Sequence, residues 1–164
     1  MTTPVIEVTD LSFAYPDGTV ALADIDLHVH RGERLALLGP NGAGKTSLVL
    51  HLNGIHAAQH GAVAVSGLVV SRPNLLEVRR RVGIVFQDPD DQLFMPTVAR
   101  DVAFGPQNLG LAEEEVARRV GAALAAVEVA DLAHRHPSHL SLGQRRRVAI
   151  AGVLAMQPEI LVLD

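Results

Sequence analysis

The stretch that decides the fold is RLALLGPNGAGKTSLVLHLN, residues 34–53. It begins with a near-continuous apolar run over residues 34–39, which is typical of a strand that is buried on both faces. A glycine-rich turn follows, and KTSLVLHLN then has the composition of a helix that ends at Gly54. A buried strand, a glycine turn and a helix in this order predict an α/β fold.

The turn itself, GPNGAGKT over residues 39–46, matches the phosphate-loop pattern G-x-x-x-x-G-K-[ST]. Gly42 and Gly44 allow the backbone to approach an anion, and the N–H groups that begin the helix point at its oxygens. We predict that Lys45 reaches the β- and γ-phosphates, that Thr46 offers its hydroxyl to Mg²⁺ and that Ser47 bonds the α-phosphate. The nucleotide-binding residues predicted here are Gly39, Pro40, Asn41, Gly42, Ala43, Gly44, Lys45, Thr46 and Ser47. The alternative is a glycine-rich turn with an unrelated lysine.

The composition limits the classes of protein to consider. The 164 residues are 48% hydrophobic, enough for one domain with a packed core. The net charge of -4 argues against broad nucleic-acid binding, and the absence of Cys excludes disulfides and thiolate metal sites. The sequence shows neither a signal peptide at its N-terminus nor an apolar run that approaches the ~18 residues of a spanning helix. We therefore expect a soluble, cytoplasmic protein.

The remaining segments predict further strands and helices around the loop. VIEV, LSFAY, DIDLHVH, GAVAVSG and LVV are predicted short strands, and RVGIVFQ is predicted to be a buried one. Helices are predicted for NLLEVRRR, AEEEVARRVGAALAAVEV and SLGQRRRVAIAGVLAMQ. The pattern is α/β with a helical insertion between two core strands.

The final segment, PEILVLD, is an apolar run closed by a carboxylate. It resembles a Walker B strand, which we expect to be buried, and Asp164 would then hold Mg²⁺ through water, opposite Thr46. The alternative is an acidic residue that caps whatever follows.

The segment LSLGQRRRVAIAGVLAMQPEILVLD resembles the signature region of ATP-binding cassette ATPases, followed by their Walker B strand. Against the family motif Leu-Ser-Gly-Gly-Gln, Leu142 replaces the first glycine. The signature residues implied are Leu140, Ser141, Leu142, Gly143 and Gln144, and the family uses them in trans, on the nucleotide of the second subunit of a head-to-tail dimer. Ser141 and Gln144 also form a capping box, which is compatible with that role.

Two further residues take their roles from the resemblance. Tyr15 in FAYPDG matches the aromatic residue that stacks on adenine, and its alternative is an ordinary strand aromatic. Gln87 in IVFQDP matches the catalytic Q-loop glutamine, which touches Mg²⁺ or the attacking water, and its alternative is a polar strand end. The Mg²⁺ ligands implied are Thr46, Gln87 and Asp164.

The segment FQDPDDQLFMPTVARDVAFGPQNLGL resembles the energy-coupling-factor branch of the family, which includes cobalt-transport ATPases, and HLNGI points the same way. In that branch this surface receives a coupling helix of the membrane component. Leu93, Phe94 and Met95 form an apolar group in an otherwise polar stretch, and the alternative is a solvated loop.

The resemblance implies a P-loop NTPase (RecA-like) core with an N-terminal antiparallel β part and an inserted α-helical subdomain. Residues 1–164 would be a single, incomplete cassette, with 1–88 and 141–164 as the nucleotide-binding core and 89–140 as the helical subdomain. The family's glutamate after the Walker B aspartate and its switch histidine are absent, so we expect the C-terminal part of the cassette to be missing. We accordingly expect this chain to hydrolyse MgATP very slowly.

The function implied is that of the ATPase subunit of an energy-coupling-factor importer, with ATP and Mg²⁺ as cofactors and cobalt as the leading substrate, before nickel or a vitamin. The partners implied are a second cassette, in a homo- or heterodimer, and transmembrane coupling and substrate-binding subunits, without nucleic acid. The protein would lie on the inner face of the cell membrane. The alternatives are a non-hydrolysing nucleotide-binding fragment or regulator, or the ATPase of another ABC system. A DNA-repair cassette is disfavoured because no sustained heptads separate the loop from the signature.

Eight histidines raise the question of a metal site. His134, His136 and His139 lie in HRHPSH, and His51, His56 and His60 follow the phosphate loop. We interpret both groups as solvated loop histidines.

Overall fold

The computed structural model describes residues 3–164 and divides into two compact units, one ending at Val82 and one running from Gly83 to Asp164. The first unit is built on an antiparallel sheet in the order β2-β1-β3-β4. Its strands are β1 (Ile6–Ala14), β2 (Val20–Val29), β3 (His60–Val65) and β4 (Leu68–Val69), and its helices are α1 (Lys45–Leu52) and α2 (Leu75–Arg81).

Strand β1 is the centre of this sheet because it pairs with β2 on one side and β3 on the other. Val8 lies opposite Leu27 of β2 and Val63 of β3, so apolar residues meet across three strands. VIEV and LSFAY, predicted as separate strands, are one strand with irregular register after Val8. Asp10 has a positive φ of 48° at this point, as expected where a bulge bends a strand.

The run over residues 34–39, predicted to be a buried strand, is not assigned to any strand. This expectation was wrong for a physical reason. A strand exists only where a neighbouring strand exchanges hydrogen bonds with it, and within the first unit the run pairs with none of β1–β4. Apolar composition alone does not supply that partner.

The second unit contains a two-stranded sheet and three helices. Strand β5 (Val82–Val85), which begins at the unit boundary, pairs with β6 (Ile160–Leu163), and the helices are α3 (Val98–Asn108), α4 (Glu113–Ala126) and α5 (Leu142–Leu154). The predicted burial of β5 is confirmed at all four residues. Strand β6 was expected to be buried throughout, but within this unit Leu161 and Leu163 are exposed. The unit covers one face of β6, so only alternate side chains are shielded.

Helices α3, α4 and α5 pack round one apolar core, which confirms the helical character predicted for this part of the chain. The core side chains are Val98, Val102, Ala123, Leu124, Val129, Leu132, Leu140, Val148, Ala151 and Ala155. Small and branched residues dominate, as the aromatic content of 3% requires. The division into a nucleotide-binding core and a helical subdomain at residues 89–140 stays a prediction.

The end of α5 lies close to the backbone of α3 at Gly105. A Cβ built there would come within 2.6 Å of Cγ and 2.7 Å of Sδ of Met156. The thioether therefore occupies the space that any other residue at position 105 would need.

Within residues 3–164, no helix combines the length and the apolar character that crossing a membrane would require.

Candidate functional site

The predicted phosphate loop ends at the first turn of α1, in the first unit. Helix α1 begins at Lys45, and its N-cap is Gly44 with a φ of 83°, in the left-handed region. Gly42 has the same φ of 83°. No side chain caps the helix and its first turn carries no acidic residue, so the positive end of the helix dipole is left for an anion from outside the chain.

The two left-handed glycines differ in what surrounds them. A Cβ on Gly44 would meet the backbone oxygen of Ala21 at 2.3 Å, so the loop rests directly on β2 at this point. A Cβ on Gly42 would meet nothing within 4 Å. Gly44 is required by both conformation and contact, whereas Gly42 is required by conformation alone.

The Lys45 side chain lies along the loop. Its Nζ donates hydrogen bonds to the backbone oxygens of Gly39, at 3.0 Å, and Pro40, at 2.8 Å. The ammonium group is thus held over the loop, beside the helix N-terminus. The donors of this loop are the free N–H groups at the uncapped helix start and the Lys45 ammonium, and the two left-handed glycines give the loop its shape. This arrangement fits a nucleoside triphosphate.

Tyr15 and Ser47 are brought together, which the sequence did not indicate. The Tyr15 hydroxyl lies 2.8 Å from Ser47 Oγ, and this joins the chain just after β1 to the first turn of α1. Ser47 is buried, while Tyr15 is 37% exposed. The Tyr15 ring packs edge-on against Phe13, with centroids 5.2 Å apart. A predicted base-stacking residue and a predicted phosphate ligand therefore share one hydrogen bond.

His51 corrects the interpretation of the histidines as solvated loop residues. It lies on α1 and is 1% exposed, because α1 turns this face toward Phe13 and the sheet. His60 lies on β3 rather than in a loop. Burial lowers the pKa of His51 and outweighs its bond to the Ser47 backbone, which raises that pKa. The only sequence feature that points to this burial is the position of His51 one helical turn after Ser47.

In the second unit, Gln87 and Asp164 follow neighbouring strands. Gln87 comes just after β5 and Asp164 just after β6. The Asp164 backbone N–H donates to the oxygen of Val85 at 3.0 Å, so the carboxyl ends of the two strands lie side by side. Gln92, which sequence reasoning missed, accepts from the Phe86 N–H at 3.3 Å and donates to the oxygen of Ala149 on α5 at 2.8 Å.

The capping box predicted at the signature is confirmed. Gln144 N–H donates to Ser141 Oγ at 3.3 Å, and Ser141 N–H donates to Gln144 Oε1 at 2.9 Å. Leu142 is exposed at the helix start, and a Cβ on Gly143 would meet nothing within 4 Å. The signature segment thus presents an ordered helix N-terminus with open space before it.

An apolar groove lies among β5, α3 and α5 of the second unit. Its volume is about 280 Å³. Phe94, 64% exposed, packs edge-on against Phe104 at a centroid distance of 4.9 Å. Leu93 and Met95 are half-buried. The apolar group predicted from the sequence is therefore an exposed edge at Phe94 with two partly buried neighbours.

Among the residues that the structure describes, no group of three His, Asp or Glu side chains could hold a metal ion. Mg²⁺ does not need one, since it keeps several waters and uses phosphate oxygens beside one or two protein ligands. Within the first unit, the hydroxyl of Thr46 is of the right chemical type for this ion.

Comparison with known proteins identifies the class. The model of the family described as "ABC transporter" matches residues 22–164, and the chain belongs to this family. The fold class expected from the sequence, an ATP-binding cassette with an antiparallel N-terminal part, is confirmed by solved structures of the same kind.

Two similar proteins show which members of the family this chain resembles. The chain is 58% identical over 161 residues to the energy-coupling factor transporter ATP-binding protein of Methanothermobacter thermautotrophicus, covering 97% of this chain and 52% of that protein. It superposes with a TM-score of 0.86 and 42% identity on cbiO1 from Clostridium perfringens, described as part of the ABC transporter complex cbiONQ, covering 99% of this chain and 65% of the other.

A second solved structure is an ATP-binding cassette dimer in a post-hydrolysis state bound to ADP and Pi, with a TM-score of 0.85, 26% identity and coverage of 97% and 73%. The chain spans between 52% and 64% of the length of eight curated relatives that it matches.

Proposed function

We propose that this chain is the nucleotide-binding part of the ATPase subunit of an energy-coupling-factor importer. The observation that carries the proposal is the phosphate loop, where left-handed Gly42 and Gly44 precede an uncapped helix and Lys45 lies over the loop. A neutral or basic ligand group would gain far less from this arrangement than a polyphosphate does, because the helix dipole and the ammonium both attract negative charge.

Each residue has a distinct task in the proposed site. The backbone N–H groups of residues 41–45 bind the β-phosphate, and Lys45 exchanges its two backbone partners for phosphate oxygens. Thr46, Gln87 and Asp164 would hold Mg²⁺, which neutralises charge that develops on the transferred phosphoryl group. Gln87 orients the attacking water, Tyr15 stacks on adenine and Ser47 bonds the α-phosphate.

A second cassette completes the proposed site. Ser141 and Gly143 begin α5 with a helix N-terminus, which meets the γ-phosphate bound by the partner cassette. Support comes from the dimeric ATP-binding cassette bound to ADP and Pi, to which this chain is similar. The second cassette would be either a copy of this chain or a different one, in a homo- or heterodimer.

The apolar groove at Phe94 and Phe104 is proposed to receive a coupling helix of a transmembrane subunit, which would place the protein on the cytoplasmic face of the membrane. Support comes from the exposure of Phe94 and from the relatives named as energy-coupling factor and cbiONQ components. Cobalt is the substrate that we propose first, with nickel or a vitamin next, on the basis of the resemblance to cobalt-transport ATPases. The membrane partners, rather than this chain, would bind that substrate.

The test is nucleotide binding by the 164-residue chain. Affinity for a fluorescent ATP analogue in the presence of Mg²⁺ is measured by anisotropy for the wild type, Lys45→Ala and the control Arg72→Ala, which removes an exposed cation elsewhere in the first unit. We expect Lys45→Ala to weaken binding at least ~10-fold, as the loss of a charge-assisted hydrogen bond implies, and Arg72→Ala to change it less than ~2-fold. Equal affinities for all three proteins would overturn the proposal.

A further inference from the structure

A cluster of four rings lies between β1 and the phosphate-loop helix, and only Tyr15 of its members has a proposed role. Phe13 contacts the edge of His51 with centroids 4.8 Å apart and stacks on His56 at 4.8 Å with an interplanar angle of 24°. Tyr15 lies edge-on to Phe13 at 5.2 Å and to His56 at 6.0 Å. Every ring therefore depends on another for its position.

His51 is the buried member of this ring cluster. Its Nδ1 lies 2.7 Å from the backbone oxygen of Ser47, one helical turn earlier. A carbonyl oxygen can only accept, so Nδ1 carries the proton and donates. Nε2 is buried, and the Ala57 backbone, like that of Ser47, raises the pKa of the ring. Burial outweighs both effects and lowers the pKa of His51, so a neutral ring with its proton on Nδ1 suits this site.

The contacts of His51 converge on Ser47. The Ser47 backbone oxygen accepts from His51, and the Ser47 hydroxyl bonds the hydroxyl of Tyr15. His51 reaches Tyr15 by a second route through the ring of Phe13. A closed loop of contacts, Tyr15–Ser47–His51–Phe13, thus holds the tyrosine ring against the start of α1.

A histidine that only fills the core would explain the burial and the bond to Ser47. It would not require a connection to the one exposed aromatic ring beside the phosphate loop. The difference is measurable, since a packing residue affects the whole unit and a residue that places Tyr15 affects recognition of the base.

We propose that His51 is a positioning residue for the adenine base, which acts through Phe13 and Ser47 to hold Tyr15 in its stacking position. This inference rests on the proposed function, because it assumes that a nucleotide binds at the loop. It assigns to His51 the part of the affinity that comes from the base and none of the part that comes from the phosphates.

The experiment compares two ligands, MgATP and magnesium tripolyphosphate, which has the phosphates without the base. Affinities are measured by calorimetry for the wild type, His51→Leu, Tyr15→Leu, the double variant and the control His60→Leu, an exposed histidine on β3. Thermal melting of each variant shows whether it is folded. If His51→Leu does not fold, Phe13→Leu tests the same ring contact.

We expect His51→Leu to weaken MgATP about 3- to 10-fold, the range for one lost aromatic contact, and tripolyphosphate less than ~2-fold. In the Tyr15→Leu background the same change should cost nothing further, because residues that act through each other are not additive. His60→Leu should leave both affinities unchanged.

Equal weakening of both ligands by His51→Leu would show a structural residue and overturn the inference, as would full additivity with Tyr15→Leu. A wild type that binds neither ligand would instead reject the proposed function itself. The two failures are therefore separable in one set of measurements.

Discussion

The carboxylate of Asp101 accepts the backbone N–H of Met95 through both of its oxygens, at 3.2 and 3.1 Å. One oxygen also accepts from the N–H of Phe94 at 3.1 Å. Asp101 lies in the first turn of α3 and is buried. A single acid thus fixes the backbone of Phe94, the exposed edge of the apolar groove, and of its half-buried neighbour Met95.

This carboxylate predicts a pH dependence of stability. Burial raises the pKa of Asp101 above its ordinary value of 3.8, against the amides of Phe94 and Met95 and the charge of His136, which lower it. A raised pKa means that the folded state binds this proton more tightly than the unfolded state. The ionised form therefore costs stability at neutral pH, and that cost fades as the pH falls through the raised pKa.

We expect the melting temperature of the wild type relative to Asp101→Asn to rise as the pH is lowered from ~7 to ~4, because position 101 no longer titrates in the variant. Circular dichroism melts at several pH values measure this difference. A melting-temperature difference that stays constant with pH, or that falls as the pH is lowered, would contradict a raised pKa for Asp101.

The two left-handed glycines of the loop form a matched pair. Gly42→Ala and Gly44→Ala both place a Cβ at a φ of 83°, at a cost of about 1–2 kcal/mol each. Only Gly44→Ala must also push the loop away from the oxygen of Ala21. We expect the larger loss of both urea stability and MgATP affinity at position 44, and an equal loss at the two positions would show that the contact with β2 is unimportant.

The capping box at the start of α5 predicts a stability effect that is independent of any nucleotide. Ser141→Ala removes the acceptor for the Gln144 N–H and should lower the free energy of unfolding by about 1 kcal/mol. Ser141→Asp restores an acceptor and should recover most of that loss. Urea denaturation without nucleotide measures both, and a serine-to-alanine change without effect would mean that water replaces the cap.

The core of the second unit predicts a larger effect. Leu124 of α4 is 3% exposed and packs among Val98, Val129 and Val148. Leu124→Ala should cost about 3 kcal/mol through lost burial and the cavity that remains. The control Leu76→Ala, at a position that is 64% exposed, should stay within about 0.5 kcal/mol. Similar effects at both positions would show that Leu124 is not part of a close-packed core.

The sequence predicted those features that depend on local chemistry. The glycines of the loop, the start of α1 at Lys45 and the capping box of Ser141 each follow from residues within a few positions of one another. The buried character of β5 also followed from its apolar residues, which are interrupted only by Gly83. These features are determined by residues close together in the sequence, so they can be predicted without knowing which distant residues they contact.

What could not be predicted depends on residues far apart in the chain. The apolar run at 34–39 has the composition of a strand, but composition does not provide a hydrogen-bonding neighbour. The burial of His51 depends on Phe13, 38 positions earlier. The hydrogen bonds that Asp101 accepts from Met95 depend on how the chain turns into α3. His51 was expected to be solvated and Asp101 was not singled out, because their partners are rings or backbone atoms that the sequence pattern does not reveal.

The close contact of Met156 with Gly105 makes this end of α5 sensitive to oxidation of the methionine. Oxidation turns a soft, adaptable thioether into a bulkier and polar sulfoxide, and it would place that polar group where Met156 contacts Gly105 and lines the apolar groove. Exposure to peroxide would thus disturb the contact between the end of α5 and α3. The sulfur that lets α3 and α5 approach closely is also the point at which an oxidant can separate them.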